Sequence, residues 1–376
     1  MELIMRPGLQ GVIAAETRLS SIDGQAGELI IGGYPLEAIA PHATFEEMLY
    51  LLWHDTLPTA IQLTAFRDNL ASKRDLPAIA IEALRSAAAQ KLHVMDALRI
   101  AAGTLSLVVD SDDAVASSEV LVAAFPTIVA TYWRFLHNQD AITPDATLSH
   151  AANYLYMLTG EHPAPDAVRA LDTYLNTVIE HGFNASTFTA RVIIATHSDM
   201  ISAAVGAIGA LKGPLHGGAP GPALGMVLEI ANPGNAEANI RARLERGERL
   251  MGFGHRVYKV RDPRADVLNA AASEFFTSED RAALYTLVRH VEKTAIRLLE
   301  EHKPGRNLQT NVEFYTALVL HGVGLHNDLF TPTFAIARVG GWTAHALEHL
   351  EEGRILRPLA AYTGVKNRQW TPVDAR

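Results

Sequence analysis

The 376-residue chain contains no cysteine. Disulfides, thiolate metal sites, iron–sulfur ligation and a thiol nucleophile are excluded together. Charge is sparse: 19% of residues are Asp, Glu, Lys or Arg, and the acidic excess leaves a net charge of −9. That balance argues against a nucleic-acid partner but leaves room for local basic pockets that take anionic small molecules. No run of about 18 residues is both uncharged and strongly apolar. The best stretch, Val120 to Trp133, is short and contains Pro126. The opening Met1 to Pro7 lacks a basic flank followed by an apolar core, so no secretory signal is expected. A cytoplasmic enzyme without a membrane partner is the expectation. Long alternating β-branched runs and internal repeats are missing too, which argues against a central sheet and against a solenoid.

What is present is an apolar fraction of 48%, enough for a large core and too much for a disordered chain. The length suggests about two domains. Asp23-Gly24 is a turn signal, and Glu28-Leu29-Ile30-Ile31 follows it, so a short β hairpin is predicted near the N-terminus. Beyond residue 44 the pattern turns helical. Thr44 is placed to cap a helix through Glu46-Glu47, with Met48, Leu49, Leu51 and Leu52 buried. Val168, Leu171, Tyr174, Leu175, Val178 and Ile179 recur at helical spacing, as do Leu284, Leu287, Val288, Val291, Ala295, Leu298 and Leu299. Met200 to Leu211 is a helix of small residues, expected to be buried against close neighbours. The fold class is mainly α.

Punctuation clusters at Gly213 to Gly225 and at Gly252 to Pro263, the segments most suited to carry a site. In Gly213-Pro214-Leu215-His216-Gly217-Gly218, glycines strip bulk from both sides of His216. Either a ligand approaches the ring and backbone there, or the glycines only make a tight turn between helices. A helix starting just after the loop would bring its positive end to the imidazole and favour the neutral ring. In Gly252-Phe253-Gly254-His255, a glycine turn presents a histidine, and Arg256, Lys259, Arg261 and Arg264 follow closely. In an acidic chain this reads as an anion pocket or as a solvated basic loop. His181 follows an amphipathic helix, where capping chemistry is the ordinary role. Glu313 sits among Val312, Phe314 and Tyr315. It is either a first-turn glutamate favoured by the helix dipole or a carboxylate whose pKa is raised toward that of a general base. His345-Ala346-Leu347-Glu348-His349 fits an inverted zinc-protease pattern, but only 27 residues follow it for a third ligand, and no metal is expected.

Taken in order, several segments identify a resemblance. They are Ser20-Ser21-Ile22-Asp23-Gly24, His181-Gly182-Phe183-Asn184-Ala185-Ser186-Thr187, Gly213-Pro214-Leu215-His216-Gly217-Gly218-Ala219, Gly252-Phe253-Gly254-His255-Arg256-Val257-Tyr258 and Asp262-Pro263-Arg264. Phe330-Thr331-Pro332-Thr333-Phe334, Gly341-Trp342-Thr343-Ala344-His345 and Arg357-Pro358 add to it. Over almost its whole length the chain resembles the citrate synthase family, which includes 2-methylcitrate synthases.

The resemblance implies a two-domain helical fold, with residues 1–218 and 319–376 forming a large domain and 219–318 a small one. It implies condensation of acetyl-CoA with oxaloacetate, then thioester hydrolysis to citrate and CoA. No tightly bound cofactor is implied, acyl-CoA being a co-substrate. His181, His255, Arg264 and Arg338 would hold oxaloacetate, joined by Arg357 from the second subunit of a homodimer. His216 would donate to the thioester oxygen, His255 would polarise the ketone, and Glu313 would be the base. Arg256, Lys259 and Arg261 would meet the CoA phosphates. The family usually has Asp where this chain has Glu313, an extra methylene of over 1 Å, and misplacement on that scale can cost about a hundredfold. A local retreat of the backbone with activity kept is the expectation. A propionyl-CoA-using enzyme, an impaired homologue that only binds CoA or a dicarboxylate, and a zinc hydrolase are the competing readings.

Overall fold

A computed structural model describes residues 6–217 and 220–376. Three short strands come first: β1 (Ser20–Asp23), β2 (Glu28–Ile31) and β3 (Tyr34–Pro35). They form an antiparallel sheet in the order β1-β2-β3, with Ser20 opposite Ile31 and Ile31 opposite Tyr34. The predicted hairpin is therefore present, and β3 extends it. Asp23 Oδ1 accepts from the backbone N–H groups of Gln25 and Ala26 (2.8 and 2.9 Å), the turn chemistry expected of Asp-Gly. Gly24 is required for another reason: a Cβ there would lie 2.4 Å from the Val257 carbonyl oxygen. The turn thus docks on a distant loop, where Lys259 N–H donates to Gly24 O (2.8 Å).

The rest of the fold is helical. The helices are α1 (Leu36–Ile39), α2 (Phe45–His54), α3 (Ala60–Ala71), α4 (Ala78–Ala89), α5 (Val94–Thr104), α6 (Ala114–Leu136), α7 (His150–Thr159) and α8 (Pro165–Val178). They continue with α9 (Ala185–Ile194), α10 (Met200–Leu211), α11 (Pro220–Ile230), α12 (Ala236–Glu245), α13 (Pro263–Phe275), α14 (Glu279–His302), α15 (Val312–Gly322) and α16 (Phe330–Glu352). Thr44 caps α2 in a full capping box with Glu47. The small residues of α10 let it press on α9, where a Cβ on Gly206 would strike the Ile193 side chain.

Pro126 lies inside a helix: α6 runs through it for 23 residues. The missing backbone N–H costs on the order of 3 kcal/mol. Every residue from Leu121 to Tyr132 is buried, however, and packing on α4, α5, α7 and α16 offsets that cost. By length and composition α6 is long and apolar enough to cross a membrane, and 72% of its most apolar stretch is buried inside the molecule.

The central element is α16, which packs on α2, α5, α6, α8, α9, α10 and α11. In the segment from 220 onward, α11, α13 and α14 each pack on α15, and α12 packs on α14. Helices α13 and α15 also reach α8, so α8 lies where these helices meet the first ones. The expected boundary at 218 and 219 falls outside the described residues, and the one at 318 lies inside α15.

Candidate active site

The end of α8 delivers His181, and the positive φ of Gly182 (+58°) turns the chain into α9. His181 is 8% exposed, with Nε2 3.1 Å from the Tyr258 hydroxyl. Burial, then the positive charges of Arg264 and Arg338, hold its pKa well below the usual histidine value, so the ring is neutral. His181 and His255 stand edge to face, 5.8 Å between centroids.

His255 rides on a loop tied to the approach of α15. Gly254 N–H donates to Gln309 O (2.7 Å), Asn311 N–H to Gly252 O (2.9 Å), and Asn311 Nδ2 to Gly254 O (2.8 Å). Gly252 has φ +87°, and a Cβ there would lie 2.9 Å from the Phe314 side chain, so only glycine fits. His255 Nδ1 accepts from the backbone N–H groups of Val257 and Tyr258, both at 3.1 Å. Backbone amides can only donate, so the ring proton sits on Nε2. Burial and Arg264 pull the pKa down to about 4, which keeps the ring neutral. Arg264 Nη2 approaches the same Nε2 to 3.3 Å. Two donors this close suit one shared acceptor oxygen of a ligand.

Arg264 stands in the first turn of α13, 4% exposed. Its Nε and Nη2 donate to Asp262 Oδ1 and Oδ2 (3.0 and 2.8 Å). Asp262, fully buried, also accepts from Val312 N–H (3.2 Å) and so joins this cluster to the start of α15. Arg338, on α16, differs from Arg264. It is 1% exposed, donates from Nε to Val178 O (2.6 Å), and forms no ion pair among the described residues. Burial lowers its pKa to about 10, against the pull of Glu180. A buried guanidinium without a carboxylate is costly and suits an anionic ligand.

Glu313 is the second residue of α15, whose Asn311 cap accepts from Glu313 N–H (3.0 Å). The half-buried carboxylate has no hydrogen-bond partner among the described residues. Burial raises its pKa to about 7, with Arg264 and Arg338 pulling down and Asp262 pushing up. Both readings of the sequence hold here: Glu313 is a first-turn residue and also a carboxylate poised for proton transfer at neutral pH.

His216 follows α10, but the observed helix end at its ring belongs to α9. His216 Nε2 accepts from Ser186 N–H (3.3 Å) and lies 2.8 Å from Ser186 Oγ, which accepts from Trp342 Nε1 (3.0 Å). The amide donor assigns the proton to Nδ1. Burial and Arg338 lower the pKa to about 4, so Nδ1–H is a neutral donor. The positive charge of Arg338 pulls down the pKa of His181, His216 and Glu313 alike.

Not every candidate joins these residues. Arg357 is exposed beyond α16, without a partner among the described residues. Arg256 and Lys259 are exposed on the His255 loop, where Lys259 Nζ donates to Arg256 O (3.1 Å). Arg261 turns inward to Glu292 (2.7 Å) and Asp266. Arg256 lines a cavity of about 400 Å³ together with His255, and Arg249, Lys303 and Arg306 complete its basic wall. Those four cations have no ion-pair partner among the described residues. Sequence reading missed Arg249, Lys303 and Arg306, which are scattered over two segments and share no local pattern. It also passed over Asp262, Ser186 and Trp342, although all three stand inside the quoted motifs. On α16, His345 Nε2 lies 2.9 Å from Glu180 Oε1, Glu348 pairs with Arg191 (2.5 Å), and His349 Nε2 contacts Arg354 O (2.7 Å). Among the described residues no group of three or more His, Asp or Glu side chains is arranged to hold a metal ion.

Comparison with known proteins identifies the family. The family model "Citrate synthase, C-terminal domain" matches residues 8–359. The citrate synthase of Haloferax volcanii is 41% identical, covering 99% of both chains. The 2-methylcitrate synthase of Shewanella oneidensis is 38% identical, over 98% of this chain and 97% of its own. Among solved structures, citrate synthase from Pyrobaculum aerophilum has a TM-score of 0.89 at 36% identity, covering 98% of this chain and 94% of the other. A Thermoplasma acidophilum citrate synthase, solved as a ternary complex with carboxymethyl coenzyme A and oxaloacetate, has a TM-score of 0.88 at 30% identity over 99% of both chains. The chain belongs to the citrate synthase family, whose enzymes are acyltransferases.

Proposed function

We propose that this protein condenses acetyl-CoA with oxaloacetate and hydrolyses the resulting thioester to citrate and CoA. The observation that carries the reading is Arg338, a buried guanidinium that forms no ion pair among the described residues and whose charge acts on two neutral histidines, His181 and His216, and on the Glu313 carboxylate of raised pKa. Oxaloacetate is a dianion. Arg264 and Arg338 bind its carboxylates with His181, and Arg357 reaches in from the second subunit of a homodimer. Its ketone oxygen is the shared acceptor for His255 Nε2–H and Arg264.

Glu313 removes a proton from the acyl methyl group. His216 Nδ1–H donates to the thioester oxygen as negative charge develops, a preorganised donor often worth roughly 3–4 kcal/mol. The enolate carbon attacks the ketone carbon, and His255 gives its proton to the new alkoxide. Water then cleaves the thioester, leaving citrate and the free thiol of CoA. The basic cavity lined by Arg249, Arg256, Lys303 and Arg306 suits the CoA phosphates, with exposed Lys259 beside it. In this reading a local retreat of the backbone lets Glu313 work in place of the family's Asp, and the start of α15 is tied by hydrogen bonds to the Gly252–Gly254 turn.

2-Methylcitrate synthesis from propionyl-CoA is the second reading, since relatives named for it are 38% identical. One methylene in a pocket separates donors by only about 1–3 kcal/mol. The test is thiol release with oxaloacetate and either donor. A larger kcat/KM for acetyl-CoA supports the reading, a larger one for propionyl-CoA supports the second, and release with neither overturns both.

A further inference from the structure

Glu292 lies within α14, is 3% exposed and has no part in the reaction as read above. Its carboxylate is fully occupied. Oε1 accepts from Arg261 Nη1 and from Thr310 Oγ1, both at 2.7 Å. Oε2 accepts from the Tyr315 hydroxyl (2.6 Å) and from Arg289 Nη1 (3.1 Å). A carboxylate has about four lone-pair sites, and all are filled.

The donors are distributed in a telling way. Arg261 immediately precedes Asp262 and stands three residues before Arg264. Thr310 stands three residues before Glu313, and Tyr315 two after it. One buried carboxylate therefore ties the segment that carries the ketoacid ligands to the segment that carries the base. The backbone spans the same seam, with Asp262 N–H donating to Thr310 O (3.3 Å). The charges balance locally, because Arg261 also pairs with Asp266 and Arg289 also donates to the Tyr315 hydroxyl.

We propose that Glu292 is a positioning residue for the condensation, setting the Arg261–Arg264 segment against the Thr310–Glu313 segment. The base and the bound ketoacid are thereby held at the spacing needed for proton removal and carbon–carbon bond formation. The proposal rests on the reading of Glu313 as base and of Arg264 with His255 as ketoacid ligands. It reassigns Arg261, whose guanidinium is committed to two carboxylates inside the chain, away from the CoA phosphates.

The two links are separable. Thr310→Val removes one of the two hydroxyls that tie Glu292 to the base segment and leaves that of Tyr315, and Arg261→Met removes the tie to the ketoacid segment together with the Asp266 pair. Glu292→Gln is the direct variant. Because Glu292→Gln and Arg261→Met both disturb the buried ion pair and can destabilise the fold, Thr310→Val, which leaves that pair intact, carries the test of the base-segment tie, and Tm is read beside every variant.

Steady-state kinetics with acetyl-CoA and oxaloacetate, alongside Tm, provide the readout. Thr310→Val is expected to lose at least tenfold in kcat, with KM for oxaloacetate within about threefold of the parent. A displacement near 1 Å can cost on the order of a hundredfold. Thr310→Ser, which keeps the hydroxyl, recovers the rate. Arg261→Met is expected to raise KM for oxaloacetate at least tenfold, with KM for acetyl-CoA within about threefold. Parent-like kinetics in both variants overturn the proposal, as do kcat and KM falling together in step with Tm. A rise in KM for acetyl-CoA alone in Arg261→Met also overturns it, by returning Arg261 to the CoA site. A parent protein inactive with both donors sinks the underlying reading and this proposal together, whereas an active parent with unaffected variants sinks only the proposal.

Discussion

The ionisation of Glu313 makes the sharpest demand on experiment. Burial moves its pKa from an ordinary 4.5 to about 7. That shift corresponds to on the order of 3 kcal/mol of penalty on the charged form, and less in practice because the carboxylate is only half-buried. The base works only when ionised. With a pKa near 7, kcat/KM should therefore rise about tenfold between pH 6 and pH 8 and fall with unit slope below pH 6. His216 and His255, each at about 4, are neutral throughout and add no limb above pH 5. Oxaloacetate bound as proposed on Arg264 and Arg338 would bring negative charge beside Glu313 and neutralise the two arginines that oppose its shift. The limb in kcat should accordingly lie at higher pH than the limb in kcat/KM.

Glu313→Gln should lose on the order of 10²–10⁴ in rate and flatten the profile. Glu313→Asp withdraws the carboxylate by over 1 Å and should lose on the order of a hundredfold. Stability moves the other way. An acid whose folded pKa is raised stabilises the fold fully below 4.5, and that contribution is lost as pH climbs through 7. Glu313→Gln should therefore melt higher than the parent at pH 8, with the gap closing toward pH 4.5. Thiol release from pH 5 to 9, with thermal melts at the same points, measures both. A flat parent profile, or a pH 7 limb that survives in Glu313→Gln, would refute the assignment of the base.

Two further outcomes follow from the packing. Arg338→Leu removes a buried charge that has no acidic partner, so Tm should hold or rise while oxaloacetate binding weakens at least a hundredfold; calorimetric titration decides, and parent-like affinity refutes the role. Gly252→Ala places a Cβ at φ +87° and 2.9 Å from the Phe314 side chain, so it should destabilise by roughly 1–3 kcal/mol and displace the His255 turn; an unchanged Tm and KM for oxaloacetate would contradict that account.

Much of this protein is written in short stretches of chain. The capping box at Thr44, the span of α10 from Met200 to Leu211 and the Asp23 turn follow from side chains that act on backbone a few residues away. The absence of cysteine, and the motifs containing His181, His216, His255, Arg264 and Glu313, are equally local facts. Tertiary structure alone decided the rest. It carried α6 through Pro126, because burial from both sides outweighs one missing backbone donor. It brought the amide of Ser186 to His216, 30 residues away, and so chose which ring nitrogen holds the proton. It left Arg338 without an acid while committing Arg261 to Glu292 and Asp266. Helix period and turn chemistry act over one or two turns of chain, whereas the partner of a charged group is set by which distant segment the packed core brings beside it.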